Sequence, residues 1–260
     1  MGEFCFRLPI LALVTHLVFA EFACGVASCP APEPPCECER KSGRLVLICR
    51  QQNLDRVPKF NHSEELVDEL TLAANRLVAL PNDAFRGLRV RRLDLKDNRL
   101  VLVSPTAFSG LERHLQELRI ELNPTAEFPS KALAPLTLLR VLDVIGYGGA
   151  SLPSGALASF NLLLELRLTA GGLQTISPAD VTATQTSLSV VDLSGNPLGG
   201  VPRSALATLS NLTEVVLSGC AIARLGARAF ATNWTGLQRI DLSQNRLQVW
   251  IVTIALVIML

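Results

Sequence analysis

One eleven-residue pattern recurs along most of this chain and limits the folds open to it. The pattern is LxxLxLxxNxL, in which L is an apolar residue and N is most often asparagine. Its eight copies occupy residues 67–77, 90–100, 115–125, 139–149, 163–173, 188–198, 212–222 and 237–247, with successive asparagine positions 23 to 25 residues apart. Only Thr125 and Gly149 break the apolar pattern. A period of this length predicts a solenoid of stacked units.

The segments between the copies indicate that each unit is one short strand followed by an irregular or briefly helical return. Proline stands near the start of six returns, where it ends strand pairing and turns the chain outward. These prolines are Pro81, Pro105, Pro129, Pro153, Pro178 and Pro202. A single unit cannot bury its own leucines, so we expect the units to share one core, with their strands in a parallel sheet on the concave wall.

The asparagine positions predict a row of inward-facing amides that bond the backbone of neighbouring turns. The members of this row are Asn75, Asn98, Asn123, Asn196 and Asn245. Cys220 occupies the same position, which predicts a small, buried and unreactive thiol. Tyr147 and Gly171 replace asparagine in the fourth and fifth repeats. We therefore predict a local bend or faster hydrogen exchange near residues 145–151 and 169–172.

Residues 1–27 are typical of a secretory signal, because a positive start is followed by a short apolar run and by small residues suited to cleavage. Four cysteines then cluster at Cys29, Cys36, Cys38 and Cys49. Four clustered cysteines can bind zinc, but behind a secretory signal two disulfides are favoured. The sequence alone leaves three pairings open.

Residues 28–248 together resemble an extracellular leucine-rich repeat protein with an N-terminal cysteine cap, as in Slit-like, Toll-like and small proteoglycan ectodomains. The resemblance assigns residues 28–60 to the cap and 61–248 to eight repeats. It implies an α/β solenoid, a right-handed superhelix with a parallel concave sheet and an irregular or short-helical convex side. It also implies disulfides Cys29–Cys38 and Cys36–Cys49, and a cap that covers the apolar end of the stack.

The C-terminal end departs from the pattern of many such proteins, which carry a second cysteine cap after the last repeat. Here an apolar tail, residues 249–260, follows directly. Its 12 residues would form a helix of about 18 Å, too short for a bilayer core of roughly 30 Å. Three interpretations remain: a truncated chain, a hydrophobic plug on the open end of the stack, or a poor membrane anchor. Membrane attachment is left open.

Charged residues alternate in sign along the predicted concave wall. Strand alternation buries the leucines and turns the residues between them outward. The column between the two central leucines reads Thr71, Asp94, Arg119, Asp143, Arg167, Asp192, Val216 and Asp241. The alternation either avoids repulsion between like charges or forms a docking surface of mixed sign. We predict binding at Arg92, Asp94, Lys96, Glu117, Arg119, Glu121, Asp143 and Arg167.

Composition and charge argue against several classes of function. The formal net charge is only +1 and aromatic residues make up 5%, which argues against nucleic acid as a partner. No arrangement of His62 and His114 suggests a catalytic triad or a metal site, so we expect no enzymatic activity, cofactor or metal. The expected function is extracellular recognition of a protein ligand or cell-surface receptor, as in adhesion, guidance or receptor ectodomains. Matrix organisation and innate-immune sensing are the alternatives.

Three sequons predict N-glycosylation of a secreted chain, at Asn61, Asn211 and Asn233. A fourth asparagine, Asn123, is excluded because Pro124 follows it. Asn211 and Asn233 both precede strands, so their glycans would crowd one edge of the last repeats. Contact with a partner is then favoured elsewhere.

Overall fold

The structure is a computed structural model that describes residue 30 and residues 35–226, 229–230 and 234–248. The predicted signal (1–27), Cys29, Asn233 and the apolar tail (249–260) lie outside the described residues.

Short strands dominate, and each repeat contributes one to the main sheet. In chain order the elements are β1 (Glu37–Lys41), β2 (Arg44–Ile48), β3 (Leu66–Thr71), β4 (Ala79–Leu80), β5 (Arg89–Leu100), β6 (Leu102–Val103), β7 (Glu117–Leu122), α1 (Ser130–Leu133), β8 (Val141–Ile145), β9 (Glu165–Thr169), a 3-10 helix (Pro178–Thr184), β10 (Val190–Asp192), α2 (Arg203–Leu206), β11 (Glu214–Val216) and β12 (Arg239–Asp241). Both α-helices are a single turn.

The main sheet follows the order of the repeats. Its ten strands are arranged β1-β2-β3-β5-β7-β8-β9-β10-β11-β12. All neighbours pair in parallel except β1 and β2, which form an antiparallel hairpin at one end. On the return side, β4 and β6 form a separate two-stranded parallel sheet. The chain is thus a parallel β-solenoid of about eight turns with few helices, which confirms the predicted fold class.

The core runs the length of the stack and consists of the pattern's apolar positions. In β5, Leu93, Leu95 and Leu100 are at most 1% exposed, while Asp94 and Lys96 between them reach solvent. The returns add aromatic rings, and Phe85 and Phe108 stack with centroids 6.0 Å apart. Full burial of each such side chain contributes about 1.5–3 kcal/mol relative to exposure. This shared core explains why no repeat needs to be stable alone.

Four asparagines form the predicted amide row. Asn75, Asn98, Asn196 and Asn245 each donate to carbonyls of their own and the preceding turn and accept backbone N–H bonds from the preceding turn. Cys220 stands in the same row, fully buried, with its thiol 3.2 Å from the Leu193 carbonyl oxygen that accepts from it. Burial raises the pKa of this thiol, which fits the predicted unreactive role.

The prediction that Asn123 joins this row is wrong. Its side chain stays local and accepts bonds from the Thr125 backbone N–H and hydroxyl at 3.0 and 2.8 Å. The cause is a shorter turn. Leu95 pairs with Ile120, but Leu100 pairs with Leu122, so the third repeat omits the loop that holds Asn98 in the second. Leu122 therefore fills the last apolar position, where the sequence pattern placed Thr125.

Glycines follow Tyr147 and Gly171, two positions at which the row lacks asparagine. A side chain on Gly148 would overlap the Pro124 carbonyl oxygen, and one on Gly172 would overlap that of Gly148. Gly172 also donates its N–H to the Tyr147 carbonyl oxygen at 2.8 Å. Adjacent backbones therefore pack closely in these repeats, as glycine permits. Faster hydrogen exchange at residues 145–151 and 169–172 stays a prediction.

Candidate functional site on the concave sheet

The concave face carries the predicted charge column in the predicted order. Strand register aligns Thr71 with Asp94, Asp94 with Arg119, and Arg119 with Asp143. It continues through Arg167, Asp192, Val216 and Asp241. A second column aligns Glu69, Arg92 and Glu117. Spacing alone predicts this order, because register fixes which side chains are lateral neighbours.

A buried carboxylate, Asp68, organises the first repeats and is not among the residues that the sequence pattern predicts for the site. It is 4% exposed. Arg91 lies 3.0 Å from one of its oxygens, Arg92 contacts the other, and Arg44 lies 3.9 Å away. Its place one residue before Glu69, beside Arg91 in the next strand, is the signal that could have identified it. Arg92 is thus held by Asp68 and also reaches Glu69 at 3.6 Å.

A lysine bridges two strands that are not neighbours. The Lys96 ammonium lies 2.7 Å from the Asp143 carboxylate, although β7 separates their strands β5 and β8. Asp143 is only 5% exposed. A charge buried to this degree requires a partner. The sequence pattern does not predict this pair, and its first effect is to stabilise the sheet.

Register places each arginine of the column between two aspartates, but in the described chain neither Arg119 nor Arg167 forms an ion pair with them. Within the described residues no carboxylate lies within 4 Å of the Arg119 nitrogens, and Arg119 is exposed. Arg167 pairs at 2.6 Å with Glu165 of its own strand, not with Asp143 or Asp192. Register places charges side by side, but side-chain length and geometry decide which of them meet.

A small cleft surrounds Arg119. It has a volume of about 180 Å³ and is lined by Glu69, Arg92, Leu93, Asp94, Glu117 and Arg119. Asp94 accepts the Lys96 backbone N–H at 3.0 Å, and Glu121, just outside the cleft, accepts that of Asp97 at 2.8 Å. In the described chain neither Asp94 nor Glu117 has an ion pair. The cleft thus offers two carboxylates and one guanidinium to a binding partner.

The second half of the face carries more serines between its charges. Ser218 and Ser243 share a hydrogen bond of 2.9 Å, and Ser194 donates to Asp192. Hydrogen bonds from Ser243 lower the pKa of Asp241 below its ordinary value. Asp241 therefore stays charged to lower pH, but its partners are local. Serine side chains are short and extend little from the sheet toward a binding partner.

The described cysteines of the N-terminal cluster are oxidised. Cys36 and Cys49 form a disulfide that joins the segment before β1 to the end of β2. Cys38 is also disulfide-bonded. The β1–β2 hairpin continues the sheet beyond β3, the first repeat strand. Leu45 and Leu47 of the hairpin belong to the common core.

Other functional features are sparse in the part of the chain that the structure describes. Residues 35–226, 229–230 and 234–248 contain no group of three side chains suited to hold a metal ion. The same residues include no helix of the length and apolarity that a bilayer crossing requires. The sequon asparagines Asn61 and Asn211 are both exposed. Asn211 donates its side-chain amide to the Thr186 carbonyl oxygen of the preceding repeat at 2.5 Å.

Comparisons with known proteins agree with this architecture. Residues 65–124 match the sequence family described as Leucine rich repeat, and residues 187–209 match a second one with the same description. The chain is similar to Leucine-rich repeat-containing protein 3 of Bos taurus, with 34% identity over 112 residues. That match covers 43% of this chain, and the chain spans only 42% of the relative. The chain therefore contains leucine-rich repeats, a kind of domain that generally mediates protein–protein interaction.

Proposed function

We propose that this chain is an extracellular recognition protein that binds a protein ligand or cell-surface receptor through the concave sheet of its first repeats. The role that fits best is that of an adhesion, guidance or receptor-type ectodomain. The observation that carries the proposal is the cleft around Arg119. Its charges are exposed and of defined sign, and in the described chain Asp94, Glu117 and Arg119 have no ion-pair partner.

The surrounding ion pairs support binding at this place because they hold the wall rigid. Asp68 fixes Arg91 and Arg92, and Asp143 fixes Lys96. A partner that meets a rigid surface loses less side-chain entropy on binding. The eight predicted residues thus form two groups. Four form ion pairs within the face: Arg92, Lys96, Asp143 and Arg167. In the described chain the other four form none, although Asp94 and Glu121 accept backbone N–H bonds, and of these Asp94, Glu117 and Arg119 line the cleft.

Extracellular localisation is part of the same proposal. The signal-like residues 1–27, the sequons and the clustered cysteines favour secretion. A disulfide between Cys36 and Cys49 persists in an oxidising compartment. We assign the β1–β2 hairpin and its disulfides to a cap that covers the first repeat, since an uncovered strand edge invites association.

The test is a binding screen of the tagged, secreted chain against a panel of cell-surface ectodomains. In the double variant Glu117→Arg/Arg119→Glu the signs of the cleft are exchanged while the net charge is kept. We expect at least about tenfold weaker binding of any ectodomain that binds the natural chain, because charged anchors at an interface centre dominate affinity. Unchanged binding would move the site away from the concave face.

Arg92→Glu is a poor probe, because it would leave buried Asp68 beside a second carboxylate and disturb the sheet itself. The matched control is Glu127→Lys/Lys131→Glu, which also exchanges two opposite charges and keeps the net charge. Both residues are exposed and lie in a return. Binding should survive this change, and a loss of equal size would indicate a nonspecific charge effect.

A further inference from the structure

Three exposed leucines form an apolar patch beside the concave face. Leu138, Leu162 and Leu164, here called the leucine rim, have relative exposures of 36, 48 and 40%. Leu138 and Leu162 precede strands β8 and β9 by three residues. The two turns that hold them contain the same kind of backbone hydrogen bond. The Leu139 N–H donates to the Leu136 carbonyl oxygen in one, and the Leu163 N–H donates to the Phe160 carbonyl oxygen in the other. They are therefore equivalent positions in adjacent repeats, about 5 Å apart.

The leucine rim is continuous with the concave sheet through Leu164. Register aligns Glu165 with Val141, so Leu164 lies beside Arg140 at the amino-terminal edge of the sheet. The Leu164 N–H donates to the Arg140 carbonyl oxygen at 2.8 Å. In the sixth and seventh repeats the positions equivalent to Leu138 are Ser187 and Asn211, so the apolar patch ends at the fifth repeat.

Arg140 gives this patch a defined charge. It is exposed, and among the residues described no carboxylate pairs with it. Register places Glu117 and Glu165 on either side of Val141, the residue after Arg140, yet in the described chain neither pairs with Arg140, and Glu165 pairs with Arg167. A guanidinium without a partner next to exposed leucines complements a surface that presents an apolar side chain beside a carboxylate.

We propose that the leucine rim and Arg140 form the apolar anchor of the partner-binding surface, and that they receive a protein segment with an apolar side chain next to an acidic one. The proposal rests on the proposed function and extends it from the cleft to the sheet edge. Interface hot spots are buried apolar or arginine contacts surrounded by polar groups. The charged cleft lacks exposed apolar side chains, and the leucine rim supplies them.

The test uses the full secreted chain and a displayed library of random 12-residue peptides. The natural chain should enrich peptides that pair an apolar residue with aspartate or glutamate. The variant Leu138→Asp/Leu162→Asp should bind these peptides at least about tenfold more weakly, as expected for loss of an anchor. The matched control is Leu102→Asp, which changes a leucine that is 61% exposed in β6, on the return side of the stack. Binding of the control variant should be unchanged.

Several outcomes would overturn the inference. They are a failure to enrich peptides, equal binding by the rim variant, and loss of binding in the control. Leucine-dependent sedimentation with phosphatidylserine–phosphatidylcholine vesicles would identify a lipid surface as the occupant, and a natural dimer that the rim variant dissociates would identify a second copy. Weakening by Glu117→Arg/Arg119→Glu but not by the rim variant would leave the proposed function intact and reject only the anchor. Weakening by the rim variant but not by Glu117→Arg/Arg119→Glu would reject the cleft as a contact site and leave the leucine rim as the binding surface.

Discussion

The amide row predicts that Asn196→Ala is among the most damaging single substitutions in the chain. Asn196 is 1% exposed. Its side chain accepts from the Leu173 N–H at 3.1 Å and donates to the Leu168 and Leu193 carbonyl oxygens at 2.7 and 2.8 Å. Alanine leaves all three backbone groups without these bonds inside the core. At about 1 kcal/mol for each, the free energy of unfolding should fall by about 3 kcal/mol.

The matched control is Asn123→Ala, the same substitution at the equivalent position of the sequence pattern. The Asn123 side chain bonds only Thr125, in an exposed turn. Asn123→Ala should therefore lower the free energy of unfolding by less than about 1 kcal/mol. Urea denaturation followed by circular dichroism measures both values, and comparison at equal slope guards against a change in the extent of unfolding. Equal losses would refute the assignment of Asn123 outside the row, and a loss below about 1 kcal/mol for Asn196→Ala would refute the role of the row.

Three further substitutions test other contacts. Lys96→Met should cost about 1–2 kcal/mol of unfolding free energy by removing the partner of buried Asp143, and Asp143→Asn in the same chain should recover most of it. Gly148→Ala should lower the urea midpoint because its side chain would overlap a neighbouring backbone carbonyl, whereas Gly200→Ala, in open space, should not. Because burial raises the pKa of the Cys220 thiol, the folded chain keeps a proton that the unfolded chain loses. Stability should therefore be full below about pH 8.5 and fall above it, and Cys220→Ala should flatten this dependence.

The sequence predicts this fold correctly at positions where the repeat pattern allows a side chain only one environment. Leu93 and Leu95 alternate with charged residues, so strand geometry leaves them no position except the core. The lateral order of Asp94, Arg119 and Asp143 follows equally, because parallel strands of nearly equal repeats stay in register. These predictions depend on periodicity alone, which the chain displays eight times.

Reasoning from sequence fails where a side chain has a choice that only packing decides. Lys96 reaches across an intervening strand to Asp143, and Arg167 turns to Glu165 within its own strand. Lysine and arginine side chains are long and adopt several rotamers, so the sequence does not tell which nearby carboxylate each of them meets. Asn123 shows a different limit. Aligning repeats on asparagine hides a shortened turn, and Leu122 reveals it only when strand pairing is known.

The division of charges on the concave wall bears on how a partner would be selected. Most ionic groups of the first repeats are already paired within the sheet, so a partner gains little by competing for them. Two unpaired arginines lie close to each other: Arg119 is in β7, in the cleft, and Arg140 directly precedes the neighbouring strand β8, beside the leucine rim. Charge at these two points would govern the rate of association and the choice of partner, and both effects weaken with added salt. Burial of Leu138 and Leu162 would govern dissociation, which salt screens little. On this reasoning the rim variant should raise the dissociation rate at every salt concentration, and reversal of the cleft charges should act mainly on the association rate at low salt.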